Sequence, residues 1–248
     1  MKDKEKKKQV SNLMRSVSRR VGMAVADYKM LADKDKIIVA VSGGKDSLSL
    51  LSLLKYRQTF IPIDIELLAV HIDMGIPSFP TAKVIKYLKK QRIPFLVEKI
   101  DILKNKGMDN LNCFWCSWNR RKALFQLAGR LGFNKIAFGH HLDDIIETIL
   151  INLFYRGEIG AMKPCQELFK GKVTIIRPLA YVEEDEIIKL AKELKISKID
   201  NYKCPRSETS KRTMLKKLIA SLKKENPAIK KNIFKSLERI REEYLLDK

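Results

Sequence analysis

A short loop after the first apolar segment of the chain has the residue types that bind phosphate. Residues 37–41 form an apolar run, and the next six residues are Ser42-Gly43-Gly44-Lys45-Asp46-Ser47. Glycines permit a tight turn in which backbone N–H groups approach an anion, and a helix starting directly after the loop adds partial positive charge. Lys45 can neutralise phosphate oxygens, and Asp46 suits a Mg²⁺ ion bound between the protein and the phosphates. The loop lacks the spacing of a Walker A sequence, so we expect another kind of phosphate loop, with a capped glycine turn as the structural alternative.

Histidines and carboxylates follow two other apolar runs. The first group is His71-Ile72-Asp73, and the second is Gly139-His140-His141-Leu142-Asp143-Asp144. Two histidines and two acids at the mouth of a parallel sheet can coordinate Mg²⁺ or move protons. The structural alternatives are a core histidine at position 71 and capping of a helix by the two acids. We expect a catalytic role for Asp143 or Asp144, and we favour Asp143.

Four cysteines are candidate metal ligands: Cys113, Cys116, Cys165 and Cys204. In a chain without a secretory signal, a Cys-x-x-Cys pair such as the first two is more often a metal or redox site than a structural disulfide. Four interpretations stay open: an iron–sulfur site, a closed zinc site that needs a fourth ligand, a redox pair that carries a persulfide, and a buried structural Cys116. Cys204 precedes a proline, as in some cluster-binding sequences.

The pattern of apolar residues predicts the fold that positions these groups. Short apolar runs alternate with segments whose leucines and isoleucines repeat at helical spacing. We expect strands at 37–41, 67–70, 94–97, 136–138 and 173–176, and helices at 10–31, 46–57, 80–91, 117–132, 142–155, 183–195, 208–222 and 228–245. This order predicts an α/β fold, a doubly wound parallel sheet with N- and C-terminal helices, and ligands at the carboxyl ends of the strands. We expect three parts: a basic N-terminal helix (1–31), a catalytic domain (32–200) and a basic helical C-terminal segment (201–248).

The charge of the chain predicts a polyanionic partner. The formal net charge is +21, and basic residues are concentrated at both ends. We therefore expect RNA to bind basic arms beside the catalytic domain, with ordinary lysine-rich surfaces as the alternative. The candidate RNA-binding side chains are Arg19, Arg20, Lys216, Lys217, Lys223, Lys224, Lys230 and Lys231. No apolar run approaches the ~20 residues of a membrane span, and the charged N-terminus is unlike a signal peptide, so we expect no membrane partner and a cytoplasmic protein.

The phosphate loop resembles that of the PP-loop family, whose S-G-G-x-D-S sequence holds the pyrophosphate of ATP. Members of this family cleave ATP between the α- and β-phosphates and adenylate a carbonyl- or amide-type oxygen, which becomes a leaving group. The resemblance implies ATP and Mg²⁺ as ligands and a catalytic role for Lys45 and Asp46. It implies that ATP is bound by the six loop residues and, at the other strand ends, by His71, Asp73, Gly139 and His140.

A wider pattern resembles the TtcA/TtuA group of tRNA thiolases, and in particular its 2-thiocytidine branch. The Cys-x-x-Cys pair, the basic segment 120–122, the sequence 139–144, the sequence 177–181 and a distal cysteine occur in the order of that branch. The resemblance implies that Cys113, Cys116 and Cys204 hold a [4Fe–4S] cluster and leave one iron open for sulfide. One departure is that Asn201 and Pro205 replace the flanking cysteine and glycine of the distal motif.

The function implied by this resemblance is ATP-dependent tRNA 2-thiolation. The C2 oxygen of a cytidine would be adenylated, and sulfide would then displace AMP. The expected partners are tRNA and a sulfur source, either a cysteine-desulfurase-type protein or free sulfide, and the sequence leaves a homodimer open. The rival interpretations are a PP-loop ligase or amidotransferase with a structural zinc site, and a non-catalytic basic RNA-binding protein.

Overall fold

A six-stranded sheet forms the centre of the protein in a computed structural model that describes residues 10–76, 81–102, 113–196 and 211–244. The strands are β1 (Asp35–Ala40), β2 (Ile65–Asp73), β3 (Phe95–Lys99), β4 (Lys135–Ala137), β5 (Cys165–Leu168) and β6 (Val173–Ile176). Their order across the sheet is β3-β2-β1-β4-β6-β5. All neighbouring pairs are parallel except β5 and β6, which are antiparallel.

Helices cover both faces of this sheet. They are α1 (Asn12–Asp27), α2 (Lys45–Gln58), α3 (Thr81–Gln91), α4 (Cys113–Leu131), α5 (Leu142–Arg156), α6 (Glu184–Glu193), α7 (Lys211–Glu225) and α8 (Ile229–Ser236), followed by a 3₁₀ turn at Glu242–Tyr244. Within the described part of the chain, none of these helices has the length and apolar composition required to cross a membrane.

The central strand β1 is apolar on both faces because helices pack on each side of it. Ile37 and Val39 belong to a core formed with α1, α2, α3 and α6, whereas Ile38 belongs to a second core formed with α4. Successive side chains of a strand point to opposite faces, so the alternation follows directly from strand geometry. The chain leaves β1 towards β2 on one side and returns at β4 on the other, and this point of reversal is where doubly wound sheets bind ligands.

The C-terminal helices pack against α5. Leu215 and Ile219 of α7, with Ile233 and Phe234 of α8, contact Ile146 and Leu150 in a small apolar cluster. The predicted domain boundaries at 31 and 200 stay predictions, because the second lies in a segment outside the described residues.

The predicted doubly wound α/β fold is confirmed, with three local corrections. Helix α4 begins at Cys113 instead of near residue 117, so the Cys-x-x-Cys pair forms its first turn instead of preceding it. Helix α8 ends at Ser236 instead of 245. The sheet has an antiparallel edge strand, β5, which the sequence pattern did not predict because only one of its four residues belongs to an apolar run.

Candidate active site

The phosphate loop (residues 42–47) is held in shape by its own serines. Ser47 Oγ accepts a hydrogen bond from Ser42 N at 3.1 Å and donates one to Gly44 O at 3.0 Å. Gly43 has a φ of 93°, which is the left-handed region that glycine tolerates. No side chain caps the N-terminus of α2 at Gly44. This is the arrangement in which a helix N-terminus can accept an anionic group.

Lys45 is ion-paired at the opening of the phosphate loop. Its Nζ lies 3.2 Å from Asp46 Oδ1 and 3.1 Å from Glu184 Oε1 at the first residue of α6. Burial opposes the charged form of Lys45, but the Asp46 and Glu184 carboxylates outweigh it and raise the pKa. Burial also opposes the charged form of Glu184, but a hydrogen bond from Lys216 and the charge of Lys45 lower its pKa to about 2. Glu184 therefore supplies a negative charge that a phosphate group could replace.

The turn after β4 touches the phosphate loop at Gly139. A Cβ atom at this position would lie 2.9 Å from Ser47 N and 3.0 Å from Asp46 C and Ser47 Cα. These are backbone atoms, which cannot rotate away, and a close-packed interior has no spare room for a methyl group. Glycine at 139 therefore allows the ends of β1 and β4 to form one site.

His141 brings two carboxylates close to each other. Its buried ring accepts a hydrogen bond at Nδ1 from Asp144 N at 3.4 Å, which places the proton of the neutral ring on Nε2. Nε2 lies 3.5 Å from Asp144 Oδ2 and 3.9 Å from Asp46 Oδ1. Burial raises the pKa of Asp46, and its Oδ1 is buried and accepts no hydrogen bond. Two carboxylates that both lie within 4 Å of one ring nitrogen are candidates to hold one Mg²⁺ ion together with substrate phosphates.

Asp143 is engaged outside this carboxylate pair. Its Oδ2 accepts a hydrogen bond from Glu184 N at 2.8 Å, and its Oδ1 lies 2.5 Å from Lys230 Nζ in α8. Asp143 therefore caps α6 and anchors α8. Asp144 lines the pocket beside the phosphate loop, and its carboxylate also accepts hydrogen bonds from His141 N and Arg212. Our preference for Asp143 over Asp144 stays a prediction, although only Asp144 lines the pocket.

The pocket lies at the carboxyl ends of β1 and β4 and has a volume of about 230 Å³. It is lined by Ala40, Val41, Ser42, Asp46, Ser47, Val70, Ile72, Arg120, Leu124, Phe138, Gly139, His140 and Asp144. Asp46 and Asp144 make it acidic near the loop, and Arg120 of α4 adds a positive group whose Nε is buried without a hydrogen bond. Burial lowers the pKa of Arg120.

His140 is neutral at the edge of the pocket. Burial and the nearby Arg177 guanidinium lower its pKa to about 4, and its Nδ1 is buried without a hydrogen bond. Arg177 is itself buried, donates from Nη1 to Lys163 O, and has its pKa lowered to about 10 by burial. The polar edge of His140 is therefore available to hydrogen-bond with a ligand without carrying charge.

Two other predicted ATP-binding residues lie outside the pocket lining. His71 is fully buried, its Nδ1 lies 2.8 Å from Val41 O and its Nε2 lies 3.3 Å from Thr81 Oγ1. Nδ1 therefore donates to the carbonyl that precedes the phosphate loop, and burial lowers the pKa of His71. Asp73 accepts a hydrogen bond from Gly75 N at 3.2 Å and lines a different surface pocket. This geometry favours an indirect role for His71, as a support of the loop.

Comparison with known proteins identifies the family. The family model of the PP-loop domain matches residues 10–220. The chain belongs to the PP-loop family. It is 41% identical to a tRNA-cytidine(32) 2-sulfurtransferase of Geobacter sulfurreducens, over 94% of this chain and 93% of that protein. It is 37% identical to a protein of the same name from Burkholderia cenocepacia, over 96% of this chain and 73% of that protein. These relatives confirm the predicted relationship of the chain to the sulfur-transferring enzymes of the PP-loop family.

A solved structure confirms the PP-loop architecture. The U34-tRNA thiolase NcsA from Methanococcus maripaludis, solved with its [4Fe–4S] cluster, superposes with a TM-score of 0.75. The match covers 92% of this chain and 80% of the thiolase, at 24% sequence identity. At this identity the likeness establishes a common fold.

In the first turn of α4, Cys116 is the cysteine whose side chain lies within the described part of this PP-loop protein. Cys116 is half-buried against the α4 core. A negative charge on Cys116 would raise the pKa of Arg120, so the guanidinium stabilises the thiolate in return. A thiolate is the ligand that an iron–sulfur cluster requires, and the donor chemistry at Cys116 therefore fits such a group.

The other predicted cluster ligands cannot be placed. The side chain of Cys113 and the whole of Cys204 lie outside the described residues. Within the described ranges, no group of three or more His, Cys, Asp or Glu side chains could hold a metal ion. Cys165 lies in edge strand β5, where burial raises its pKa. The ligand set of three cysteines stays a prediction.

Several predicted RNA-binding cations form ion pairs with carboxylates of the same chain. Lys230 is buried between Asp143 and Glu183, with Nζ at 2.5 Å and 3.0 Å from their carboxylates, and this geometry favours a structural role for Lys230. Its assignment to RNA stays a prediction. Lys216 pairs with Glu184 at 2.8 Å, Lys223 pairs with Glu183 at 2.8 Å, and Arg20 pairs with Glu186. The exposed members of the predicted set are Arg19, Lys216, Lys217, Lys224 and Lys231.

Three residues of the site were not singled out as site residues from the sequence: Arg120, Glu147 and Glu184. Glu147 follows Asp144 by one helical turn and is almost fully buried, and neither carboxylate oxygen accepts a hydrogen bond. Burial raises its pKa to about 7, although Arg212 and Lys216 lie 3.6 Å and 3.8 Å away. The four-residue spacing of Cys116 and Arg120 could have indicated a shared helix face once the helix was known to start at Cys113.

Proposed function

We propose that the chain is an ATP-dependent tRNA sulfurtransferase that converts a cytidine to 2-thiocytidine. One observation carries the proposal: helix α4 contributes to both halves of the reaction. Cys116 lies in its first turn, and Arg120, one turn later, lines the pocket beside the phosphate loop. One turn of helix is about 5.4 Å, so sulfur held at Cys116 would lie next to a nucleotide in the pocket. The names of the 41% and 37% identical relatives support tRNA cytidine as the substrate.

The phosphate loop would bind the pyrophosphate portion of ATP. Its backbone N–H groups and the N-terminus of α2 would surround the anion, and Lys45 would exchange Glu184 for a phosphate oxygen. Asp46 and Asp144, both close to His141 Nε2, would hold Mg²⁺ against the phosphates. This assignment accounts for the buried Asp46 oxygen that accepts no hydrogen bond.

The pocket residues would then assist two substitutions. The cytidine C2 oxygen would attack the α-phosphorus and pyrophosphate would leave, while Lys45 would stabilise the developing negative charge. A Mg²⁺ ion, when held by Asp46 and Asp144, would add positive charge at the phosphates. Sulfide would next attack C2, and AMP would leave with the former C2 oxygen. Neutral His140 can hydrogen-bond to the bound nucleotide or base, and Arg120 provides a second positive group on the α4 side of the pocket.

The sulfur would be supplied at the start of α4. We propose that Cys113, Cys116 and Cys204 hold a [4Fe–4S] cluster, a proposal supported by the cluster of the thiolase with the same fold. When bound, such a cluster would provide an iron with an open coordination position for sulfur. The sulfur source would be free sulfide or a cysteine-desulfurase-type protein. Arg120, one turn further along α4, would place positive charge near the Cys116 ligand.

The deciding experiment is mass spectrometry of tRNA nucleosides from cells with and without this gene. We expect 2-thiocytidine to disappear without the gene and to return with the wild-type chain and with Cys165→Ala. Cys116→Ala should not restore it, although purified Cys116→Ala should still bind ATP. Cys165 is the matched control because it is a half-buried thiol outside α4.

Two outcomes would contradict the proposal. Unchanged 2-thiocytidine in cells without the gene would exclude this substrate. Stoichiometric zinc in protein purified without oxygen, or loss of the metal in Cys165→Ala, would favour a closed zinc site and a ligase that uses an amine.

A further inference from the structure

Helix α4 carries an exposed aromatic surface on the side away from its buried residues. Phe114 is 76% exposed and Trp118 is 45% exposed, whereas Ala123, Leu124 and Leu127 of the same helix are buried. Phe114 and Trp118 are four residues apart, so their side chains lie on one face. Arg121 and Lys122, one turn further along, are also exposed on this face. We call these four residues, Phe114, Trp118, Arg121 and Lys122, the aromatic platform.

The rings of the platform are already in a stacking geometry. Trp115 and Trp118 lie with ring centroids 5.7 Å apart and planes at 19°, so Trp118 is supported from inside by a second indole. The Lys122 ammonium lies over the Trp118 ring, 5.1 Å from its centroid. Lysine has a long flexible side chain, so the ammonium can leave the ring face when a base stacks there. A supported ring loses little conformational freedom when a flat ligand stacks on it, and a cation next to the ring is placed to meet the charge of that ligand.

We propose that the aromatic platform binds an unpaired nucleotide of RNA, with the base stacked on Trp118 and its phosphate held by Arg121 or Lys122. The inference rests on the proposed function for its partner, and it adds a surface that recognises single-stranded loop RNA. Bases that are not paired expose their faces to aromatic side chains, whereas a duplex hides them.

The charges of the platform favour RNA over a protein partner. Burial and the nearby positive charge of Arg212 lower the pKa of Arg121. Arg212 is paired with Asp144 at 3.2 Å, whereas the exposed Arg121 and Lys122 supply positive charge to the platform. An apolar protein surface that covered Phe114 and Trp118 would have to desolvate these cations without pairing them, which is unfavourable. Phosphodiester groups pair with arginine and leave the bases to stack.

The platform holds a neighbour of the reacting nucleotide instead of the reacting nucleotide itself. Arg120, which lines the pocket, and Trp118 are two residues apart and therefore point to nearly opposite sides of α4. A base stacked on Trp118 is thus outside the pocket, and the strand must pass over the helix to bring the next nucleotide to the phosphate loop. On the terminal helices, Lys230 is buried in an ion pair, and Lys216 and Lys223 are paired with Glu184 and Glu183.

The test is the binding of a fluorescently labelled RNA stem–loop to the full chain carrying its metal centre. We expect Trp118→Ala to weaken binding by roughly ten-fold and Phe114→Ala by a smaller factor, and Trp118→Phe to retain most of the affinity. Phe60→Ala is the matched control and should bind like the wild type. Phe60 is 53% exposed, contacts Tyr56 edge-on and has the Arg57 guanidinium carbon 5.5 Å from its ring centroid, but it lies at the end of α2.

Intrinsic fluorescence gives a second readout, since Trp115 and Trp118 are the two tryptophans of the chain. The stem–loop should quench their emission, and a perfect duplex of the same length should quench it much less. Equal affinity of Trp118→Ala and wild type for the stem–loop, or equal quenching by the duplex, overturns the inference and leaves the platform to a protein partner. Phe114→Ala removes an exposed side chain and should fold normally, so this arm remains informative if Trp118→Ala is unstable.

The outcomes also separate this inference from the proposed function. The stem–loop could quench the fluorescence and bind Trp118→Ala weakly, while loss of the gene leaves 2-thiocytidine unchanged in cells. This combination would support RNA binding by the aromatic platform and reject the proposed thiolation. If Trp118→Ala binds RNA normally and the gene is required for 2-thiocytidine, the proposed function is supported and RNA binding by the aromatic platform is rejected.

Discussion

The contact between Gly139 and the phosphate loop predicts a severe effect of one added methyl group. In Gly139→Ala the new Cβ would lie 2.9 Å from Ser47 N and 3.0 Å from Asp46 C. Ordinary van der Waals separation begins near 3.4 Å, so the turn after β4 and the loop must move apart by about 0.5 Å. Because all the atoms concerned belong to the backbone, the shift is transmitted to the N–H groups that would bind phosphate.

The size of the effect follows from this displacement. A misplacement of about 1 Å in an active site can cost about 10²-fold in rate, so we expect Gly139→Ala to reduce ATP cleavage by about 10- to 100-fold. Overpacking of this kind also costs about 1–3 kcal/mol of stability, which a folded protein of this size should tolerate. The assay is RNA-dependent release of pyrophosphate, with urea unfolding of the same preparations as the measure of stability.

Gly129→Ala is the control for this prediction. Gly129 lies inside α4, and a Cβ atom added there would meet no other atom within 4 Å, so alanine should be neutral or stabilise the helix by up to about 1 kcal/mol. The reasoning is refuted if Gly139→Ala releases pyrophosphate within about three-fold of wild type, because the close approach would then have no role in shaping the loop.

Three further predictions concern charge. Burial raises the pKa of Glu147 from 4.5 to about 7, so the folded state binds the Glu147 proton more tightly than the unfolded state does. The stability that this proton contributes is lost as pH rises from 4.5 to 7. Glu147→Gln should therefore be more stable than wild type at pH 8, by about 1–3 kcal/mol in urea unfolding, and no more stable at pH 4. Lys230→Met removes the ammonium 2.5 Å from the buried Asp143 carboxylate and should lower the free energy of unfolding by roughly 3 kcal/mol. Lys231→Met, at an exposed lysine, should change it by less than about 0.5 kcal/mol. Equal losses in the two variants would contradict the buried ion pair between Lys230 and Asp143. Binding of tRNA should weaken with salt with a log–log slope of about −3.5 to −4.5 if about five phosphates are contacted, and Lys230→Met should leave that slope unchanged.

The ion pairs around α6 show why the basic residues could not be assigned from the sequence. Lys223, Lys230 and Lys231 are equivalent on charge and position along the chain. Helix packing places Lys230 in the space between Asp143 and Glu183, places Lys223 against Glu183, and leaves Lys231 exposed. The acids lie 40 to 87 residues earlier in the chain, and no local pattern predicts such a pairing.

The phosphate loop could be predicted from the sequence because all of its residues lie in one short segment. The loop lies between a buried strand and a helix and contains two glycines, a lysine, an aspartate and two serines within six residues. These residue types predict a phosphate-binding turn without any contribution from distant parts of the chain. The alternation of apolar runs with helical segments likewise predicted the doubly wound sheet, since burial on both faces requires apolar residues at every position of a central strand. The order of motifs along the chain was sufficient to recognise the PP-loop family.

The tertiary structure decided which members of each motif meet. Asp143 and Asp144 are identical in type, and the rotation of about 100° per helical residue sends Asp144 to the pocket and Asp143 to Lys230. The same rotation turns Arg120 towards the pocket beside the phosphate loop and Trp118 to the surface, once α4 starts at Cys113. A linear sequence determines residue types and local conformation, but the partners of a charged side chain depend on elements that are distant in the chain and close only after folding.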